Sequence, residues 1–479
     1  MGASKYLSST RKAKALRVAL ALALSAGTAG AGMQTAWAGK VVSDDDKTVT
    51  YDGSESPETI STDVSANDEN NDASDNSNGT SSSLENYTLE LEGGVSVTGG
   101  DVAGVRSDAA SGRTSVSGNT LGIHGNSQID TIGYTNNVYG AVITGNDTDV
   151  SAENNRVVID GSSSVAAKNI YGGLAEDTST AGKKAVAAGN TLDVAGESTM
   201  SEGYSPVSSG NMFGNAAKSA NGTAEANGNA GTAAAVNITT SGAVVANDIY
   251  GNYAESPTAT ATANGNVGTA VNIAKSDTLT ANNIYGNYAT GATATANGGA
   301  DTAVNITDGT VTGDGIPVNI HGNYATGATA TANGGTGTAV NITGGTVTAN
   351  VYGNYANGTD GTTAANAATA AGNASSAAVH ISGGTVTGDI YGGRADNINN
   401  GDASATGNTV TLDGGSITAN NIYGGYAEAA NGAANAIGNT VKLAGSKLQT
   451  DGTNVYGGYA EISGGGTGSA TGNTVRNCH

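Results

Sequence analysis

The residues best suited to chemistry in this chain are four histidines and one cysteine, His124, His321, His380, Cys478 and His479. A histidine acts as a general base when a nucleophile and an orienting acid lie within reach, and zinc needs several closely spaced His or Cys ligands. The sequence shows neither pattern, and it lacks a Gly-Asp-Ser-Gly protease signature. We therefore predict no catalytic residue, no metal site and no cofactor.

Local context suggests structural positions for three of the histidines. His124 and His321 each stand in Ile-His-Gly-Asn, which we interpret as a place where other repeats carry Tyr. His380 stands in Val-His-Ile-Ser, where an equivalent repeat has Asn341. These side chains are expected to occupy repeat positions rather than an active site.

The acidic residues raise two further possibilities, a carbohydrate-active enzyme and a calcium site. A carbohydrate-active enzyme on a β-helix would need carboxylates gathered in a groove, yet the acids beyond residue 200 are scattered. Calcium could bind the acidic run near residues 67–72, but an EF-hand glycine at Gly79 would place Ser74 where Asp is required. A carbohydrate-active enzyme remains the less favoured alternative.

The dominant pattern is a repeated marker, Ile/Val-Tyr-Gly-Gly/Asn, spaced by about 31–42 residues. Residues 287–299 recur residue for residue at 323–335, which indicates tandem duplication. If each repeat forms one coil, equivalent side chains become stacked neighbours. We predict a structural aromatic ladder, with a carbohydrate-binding stripe as the alternative. Its members are Tyr139, Tyr171, Phe213, Tyr250, Tyr285, His321, Tyr352, Tyr391, Tyr423 and Tyr456.

Within a repeat the apolar residues alternate with a period of two. In residues 302–307, Val304 and Ile306 fall on one face, which predicts a short half-buried strand. Gly344-Gly345 predicts a sharp corner before a second strand at 346–348, and a third strand carries the marker. The Ala/Thr/Gly/Asn stretch that closes each repeat varies most in length and is expected to be an outward loop. Only residues 362–371 could compete as helix.

These features predict an all-β fold, a parallel β-helix or β-solenoid built from tandem repeats over residues 84–479. The chain has 75 Gly, 4 Pro, one Trp and one Phe, which cannot supply a large aromatic core. Stacked repeats instead line Val and Ile into thin inward columns. Ten coils would extend about 50 Å.

The N-terminal 83 residues lack the repeat pattern. Residues 1–38 predict a signal peptide, with a basic start, a small apolar run at 18–32 and Ala36-Trp37-Ala38 before the cleavage point, so we expect export by the general secretion route. Residues 39–83 are rich in Asp, Ser and Asn and are expected to form a disordered leader in which Tyr51 contributes nothing to stability. A single cysteine allows no internal disulfide.

Charge limits the partners. The chain carries a formal net charge of −22, whereas nucleic-acid binding needs clustered Lys and Arg. We expect no nucleic-acid partner. An unidentified glycan or protein on a host or bacterial surface is the expected ligand, with self-association as an alternative.

Residues 407–425 have the form Gly-Asn-Thr-Val-x-Leu-x-Gly-Gly-x-Ile-x-x-x-x-Ile-Tyr-Gly-Gly. Together with the signal peptide, this repeat resembles the passenger regions of bacterial autotransporters, which are adhesin-like surface proteins. The resemblance implies a β-helical passenger carried across the outer membrane by a C-terminal β-barrel. No barrel-like strands follow residue 460, and the last repeat breaks off after Val475, so we expect an interrupted passenger.

The sequence therefore predicts a non-enzymatic, adhesin-like protein of the cell surface, or one found in the periplasm or medium when it lacks its anchor. Its expected role is to present loops and an extended β-helical face. A structural or self-associating biofilm or surface-layer element is the main alternative.

Overall fold

The computed structural model describes most of the repeat region and short parts of the segment before it. The described residues are 40–42, 47–53, 59–67, 83–108, 113–130, 136–200, 210–274, 277–315, 317–359, 367–448 and 452–477. The predicted signal peptide, Cys478 and His479 lie outside them.

The described residues form strands and turns, with no helix among them, and coil into a parallel β-solenoid of about 11 turns. One sequence repeat makes one coil, because each aromatic marker pairs in register with the marker of the next repeat. The predicted all-β parallel β-solenoid is confirmed.

Each coil passes through three sheets in a fixed order. Within the described residues, sheet 1 comprises 14 strands. They are Lys40–Val42, Thr48–Tyr51, Thr88–Leu91, Thr120–Ile123, Arg156–Ile159, Thr191–Val194, Val236–Ile238, Val271–Ile273, Val304–Ile306, Val340–Ile342, Val379–Ile381, Thr409–Leu412, Thr440–Leu443 and Thr474–Asn477. Its pairings are parallel except the first, where Lys40–Val42 runs antiparallel to Thr48–Tyr51.

Sheet 2 follows after a corner and holds short strands. They are Thr59–Ile60, Ser96–Val97, Gln128–Asp130, Ser164–Ala166, Thr199–Met200, Val244–Val245, Leu279–Thr280, Thr310–Thr312, the start of Thr346–Gly358, Thr385–Thr387, Ser416–Thr418 and Lys447–Leu448.

Sheet 3 carries the aromatic marker and consists of an outgoing arm and a return arm. The outgoing strands are Val64–Ser65, Val102–Asp108, Asn137–Gly145, Asn169–Asp177, Asn211–Ser219, Asp248–Asn264, Asn283–Asn297, Val318–Asn333, Thr346–Gly358, Ile390–Asn397, Asn421–Ala429 and Asn454–Ile462. Three of these, beginning at Asp248, Asn283 and Val318, continue into the return arm. The separate return strands are Ser83–Glu85, Ser115–Ser117, Val150–Glu153, Ala185–Ala188, Ala224–Asn227, Ala368–Ala371, Ala403–Thr406, Ala433–Ile437 and Thr467–Thr471.

The main core lies between the sheets. Val304 and Ile306 point inward, are fully buried, and pair in register with Val340 and Ile342. Fully burying one such side chain contributes about 1.5–3 kcal/mol, so a repeat of a few β-branched residues suffices once coils stack. The predicted inward columns are confirmed.

The Ala/Thr/Asn stretch is not the outward loop expected from its variable length. In the described residues it forms the return arm of sheet 3, and Ala294 and Ala296 are fully buried against Ala289 of the outgoing arm. The two arms form a thin projection, called here the fin. From Ala187 onward the buried side chains of this cluster are Ala methyl groups, so the arms can approach closely, while the alternating Thr residues face outward. In the first coils the larger side chains of Val105, Val116 and Ile143 fill the same space. Residues 368–371 of the possible helix are strand, and 360–366 lie outside the described residues.

Gly344 and Gly345 form the predicted corner between sheets 1 and 2. Gly345 has a φ of 77°, which an L side chain rarely adopts. A Cβ on Gly344 would collide with the backbone carbonyl oxygen of Thr307 in the preceding coil. The positive φ requires glycine at position 345, and the close approach of the preceding coil requires glycine at position 344.

Part of the expected disordered leader is ordered. Thr48–Tyr51 pairs in parallel with Thr88–Leu91, and Tyr51 is only 1% exposed. Thr59–Ile60 and Val64–Ser65 continue the same coil into sheets 2 and 3. The alternation of Val49 and Tyr51 on the inward face explains this first coil, and Tyr51 belongs to the core.

Candidate functional site

His124 forms an ion-paired link across three coils. Its Nδ1 lies 2.6 Å from Asp160 Oδ1 and its Nε2 lies 2.9 Å from Glu90 Oε2. The hydrogen bond to Glu90 and the contact with Asp160 outweigh desolvation and raise the pKa of His124 to about 9. His124 follows the strand Thr120–Ile123 of sheet 1, so its expected place in the aromatic slot is wrong. A ring held protonated by two carboxylates acts as a structural cation at neutral pH.

His321 and His380 are held in separate columns. His321 lies between Tyr285 and Tyr352, with ring centroids 4.9 and 4.7 Å away. Burial, helped by the charge of Arg394, lowers the pKa of His321 to about 3. His380 Nδ1 lies 3.1 Å from Asn341 Oδ1, and its Nε2 lies 3.1 Å from Asp413 Oδ1.

The ten predicted ladder residues form one continuous stack. Successive ring centroids are 4.6–5.2 Å apart, and the ring planes differ by 5–16°. Eight of the ten are at most 9% exposed, while Tyr391 and Tyr456 are partly buried. Stacking of aromatic rings adds to the free energy of burial, so this geometry favours a structural role.

A second column covers the first. Tyr253, Tyr288 and Tyr324 stack face to face at 5.2 Å, and their edges meet the rings beneath. Arg394 takes the place of Tyr in this column, pairing in register with Tyr355 and Tyr426. Our sequence reading missed Arg394, although its position three residues after the marker Tyr signals the same slot.

The geometry leaves little ring face for a carbohydrate. In the first column, and from Tyr253 to Tyr324 in the second, the ring faces contact each other, whereas sugars stack on a free face. Several hydroxyls of the second column donate to carboxylates, as Tyr253 does to Glu255 at 2.8 Å and Tyr355 to Asp396 at 2.7 Å. Burial raises the pKa of both tyrosines, so these hydroxyls remain protonated.

A buried asparagine ladder, whose members we did not identify from the sequence, runs beside the aromatic columns. Each side-chain Nδ2 donates to the Oδ1 of the next member at 2.7–3.2 Å. The members are Asn119, Asn155, Asn190, Asn215, Asn252, Asn287, Asn323, Asn354, Asn408, Asn439 and Asn473. The members from Asn119 to Asn439 are 0% exposed, so their amides satisfy one another in place of water.

A further amide column lies on the outer surface of sheet 1. Asn272 donates to Asn237, Asn305 to Asn272, and Asn341 to Asn305, each at 2.9 Å. We call these four residues the outer amide track. Asn237 in turn donates to Asp193 at 3.2 Å.

One end of the track borders an open groove of about 650 Å³. The groove is lined by polar groups that include Arg156, Thr191, Asp193, Asn237, Thr269 and Asn272. Arg156 Nε forms a 2.9 Å ion pair with Asp193. The groove therefore presents both hydrogen-bond donors and acceptors in a partly exposed setting.

Comparisons with known proteins do not identify a family. The described residues contain no group of three His, Cys, Asp or Glu side chains placed to hold a metal ion. Within the same ranges no helix is long and apolar enough to cross a membrane. No protein-family model matches the chain, and neither the curated proteins nor the solved structures yield a match.

Proposed function

We propose that the chain is a non-enzymatic, adhesin-like rod of the bacterial cell surface, exported by the general secretion route and presenting its long outer faces to surface ligands. The β-solenoid supports a role in extended presentation. The observation that carries the proposal is that the three histidines within the described residues occupy structural positions. His321 stacks between rings, and His124 is paired with two carboxylates.

Adhesion can be measured with beads coated with the chain after removal of residues 1–38. We expect saturable attachment to bacterial or epithelial cells, competed by the soluble protein. Beads coated with heat-unfolded protein serve as the control. Attachment that does not saturate, or that is equal for unfolded protein, would contradict the adhesin proposal.

The non-enzymatic part has its own test. We expect no turnover of proteins, esters or neutral and acidic polysaccharides by the purified protein. Turnover abolished by His124→Gln or by Asp413→Asn would show that one of these groups is catalytic and would overturn this part of the proposal.

A self-associating structural element is the second candidate. Thr262, Thr295 and Thr331 lie in register on the outward face of the return arm and form a regular hydroxyl column. The net charge of −22 opposes contact between copies at low ionic strength. Light scattering that rises reversibly with salt, and falls after Thr295→Asp, would favour this candidate over adhesion to other surfaces.

A further inference from the structure

We propose that the outer amide track, Asn237, Asn272, Asn305 and Asn341, binds an uncharged, extended polysaccharide laid along the rod, with one sugar ring per coil. This inference rests on the proposed adhesin function and specifies its ligand class. It assigns binding to the outer face of sheet 1.

The amides of the outer track have spare hydrogen-bonding capacity. A side-chain amide offers two N–H donors and an oxygen with two lone pairs. The ladder bonds of Asn272 and Asn305 use one donor and one lone pair on each residue. Both side chains are partly exposed, so one donor and one acceptor per coil remain available to a ligand. Sugar hydroxyls both donate and accept, which matches this pair.

The buried ladder shows the contrast. Asn190 is 0% exposed and gives its second N–H to the backbone carbonyl of Ala152 at 2.9 Å. Asn408 does the same with Ala370. These amides have spent their donors inside the protein, whereas the outer track has not.

The spacing of the coils matches that of sugar rings in an extended chain. Neighbouring coils are about 4.8 Å apart, which is close to the length of one pyranose ring in an extended β-1,4-linked chain. Asn237, Asn272 and Asn305 are direct register partners in successive coils. A polysaccharide running parallel to the axis would therefore meet equivalent amides at each ring.

The groove and the net charge of the chain favour a neutral ligand. The groove of about 650 Å³ at the Asn237 end gives the track a concave start, where Arg156 and Asp193 supply charged partners for hydroxyls. Arg156 is already neutralised by Asp193, and the whole chain is at −22. An anionic glycan would be repelled, so the ligand class is neutral.

A similar surface column on the fin offers a matched control. Asn297 donates to Asn264 at 2.8 Å and accepts from Asn333 at 2.9 Å, and it is also partly exposed. The groove described above has no residue of this column among its lining. Asn297→Ala and Asn272→Ala each remove two ladder bonds of the same kind, and only Asn272→Ala alters the proposed track.

The experiment is calorimetric titration of the chain, after removal of residues 1–38, with cellobiose, cellohexaose and N-acetylchitohexaose. We expect at least one hexasaccharide to bind, much more tightly than the disaccharide, because several coils contribute. Asn272→Ala should weaken that affinity by about tenfold, the loss of about 1.4 kcal/mol. Asn297→Ala should bind like the unaltered chain, and circular dichroism should show both variants folded.

Three results of the titration would overturn the inference. They are no binding of either hexasaccharide, equal weakening by the two variants, or tighter binding of an acidic polymer such as polygalacturonate. If beads coated with Asn272→Ala attach to cells as well as beads coated with the unaltered chain, the amide track is ruled out as the binding site. The adhesin proposal would then still stand. Absence of attachment in every form would instead remove the adhesin proposal.

Discussion

Asn190 Nδ2 donates a 2.9 Å hydrogen bond to Asn215 Oδ1, although only 25 residues separate them. At this hydrogen bond the segment of the coil that supplies the ladder asparagine changes. Asn190 belongs to a Gly-Asn-Thr segment that follows the return arm, whereas Asn215 belongs to the marker itself. The Gly-Asn-Thr segment supplies the asparagine again where Asn354 donates to Asn408, across 54 residues. Either segment of the coil can thus deliver an amide to the same line.

In the coils whose marker ends in Gly-Gly, sterics explain why the amide is supplied only once at this place. Gly173 pairs in register with Asn215, and a Cβ on Gly173 would collide with the side chain of Asn190. Gly393 stands in the same relation to Asn354 and Asn408. A marker ending in Gly-Gly therefore accompanies Gly-Asn-Thr, and one ending in Gly-Asn replaces it.

The first prediction concerns the buried ladder. Asn287→Ala removes the acceptor of the Asn252 amide N–H and the donor to Asn323 Oδ1, so we expect a loss of about 1–3 kcal/mol in the free energy of unfolding. The measurement is denaturant unfolding followed by circular dichroism. Asn272→Ala is the control, because water can replace its ladder bonds. Equal effects of the two changes would show that burial of the amide contributes nothing.

The second prediction compares Tyr285→Ala with Tyr51→Ala. Tyr285 is 9% exposed within the stack and Tyr51 is 1% exposed in the first coil. Each change should lower the free energy of unfolding by about 2–4 kcal/mol through loss of buried aromatic surface. Thermal unfolding of the two variants is the measurement. A wild-type midpoint for Tyr51→Ala would mean that the strand Thr48–Tyr51 does not stabilise the solenoid.

The third prediction is that the free energy of unfolding decreases in acid because of His321. The pKa of His321 in the folded chain is about 3, below its ordinary value of 6.5. The neutral ring therefore stabilises the fold above pH 6.5, and this stability is lost as the pH falls toward 3. Between pH 7 and pH 4 the loss should be about 3 kcal/mol. His321→Tyr, which restores the residue of the neighbouring coils, should flatten the unfolding free energy over this range.

The third prediction fails if the variant and the unaltered chain lose the same stability between pH 7 and pH 4. Such a result would place the acid dependence on other groups. Tyr fits the slot because Tyr285 and Tyr352 occupy it on either side.

The fourth prediction concerns alkaline pH. The pKa of His124 in the folded chain is raised to about 9, so its charge stabilises the fold fully below pH 6.5, and this contribution disappears as the pH rises through 9. With a side chain 28% exposed, we expect a loss of about 1–2 kcal/mol. His124→Gln should lose less over the same range in pH-dependent thermal unfolding. A steeper decline in the variant would contradict the ion-pair assignment.

The sequence is sufficient to predict the coil, because period-two Val and Ile and fixed Gly-Gly corners dictate short stacked strands. It also places the aromatic column, since equal offsets in equal coils must align. The fin escaped prediction because Ala gives a weak apolar signal, and variable length suggested a loop. The return arm keeps its alternation of buried Ala and outward Thr, which was the signal available.

The polar columns escaped prediction for a different reason. The buried amide ladder takes its asparagine either from the marker or from the Gly-Asn-Thr segment of a coil. Which segment supplies it depends on contacts between residues that are distant in sequence. The substitution of Gly173 for the Asn of other markers was visible, but its link to Asn190 requires the register. The ion-paired position of His124 likewise depends on Glu90 and Asp160 from neighbouring coils.

The fifth prediction tests Arg394 as a rung of the second column. Arg394 Nε lies 2.8 Å from Asp396 Oδ2, and its guanidinium carbon lies 5.3 Å from the ring of Tyr355 and 5.2 Å from that of Tyr426. Asp396 is 5% exposed, so Arg394→Ala leaves a buried carboxylate without its cation and should cost about 3 kcal/mol.

A double change separates the roles of ring stacking and charge. The preceding coil carries Tyr355 and Asn357 in the places of Arg394 and Asp396. Arg394→Tyr with Asp396→Asn recreates that pair, so most of the lost stability should return, measured by denaturant unfolding. Arg394→Tyr alone should recover less, because the buried Asp396 keeps its charge cost. If the double variant is no more stable than Arg394→Ala, the column requires the cation itself, and Arg394 is not an interchangeable rung.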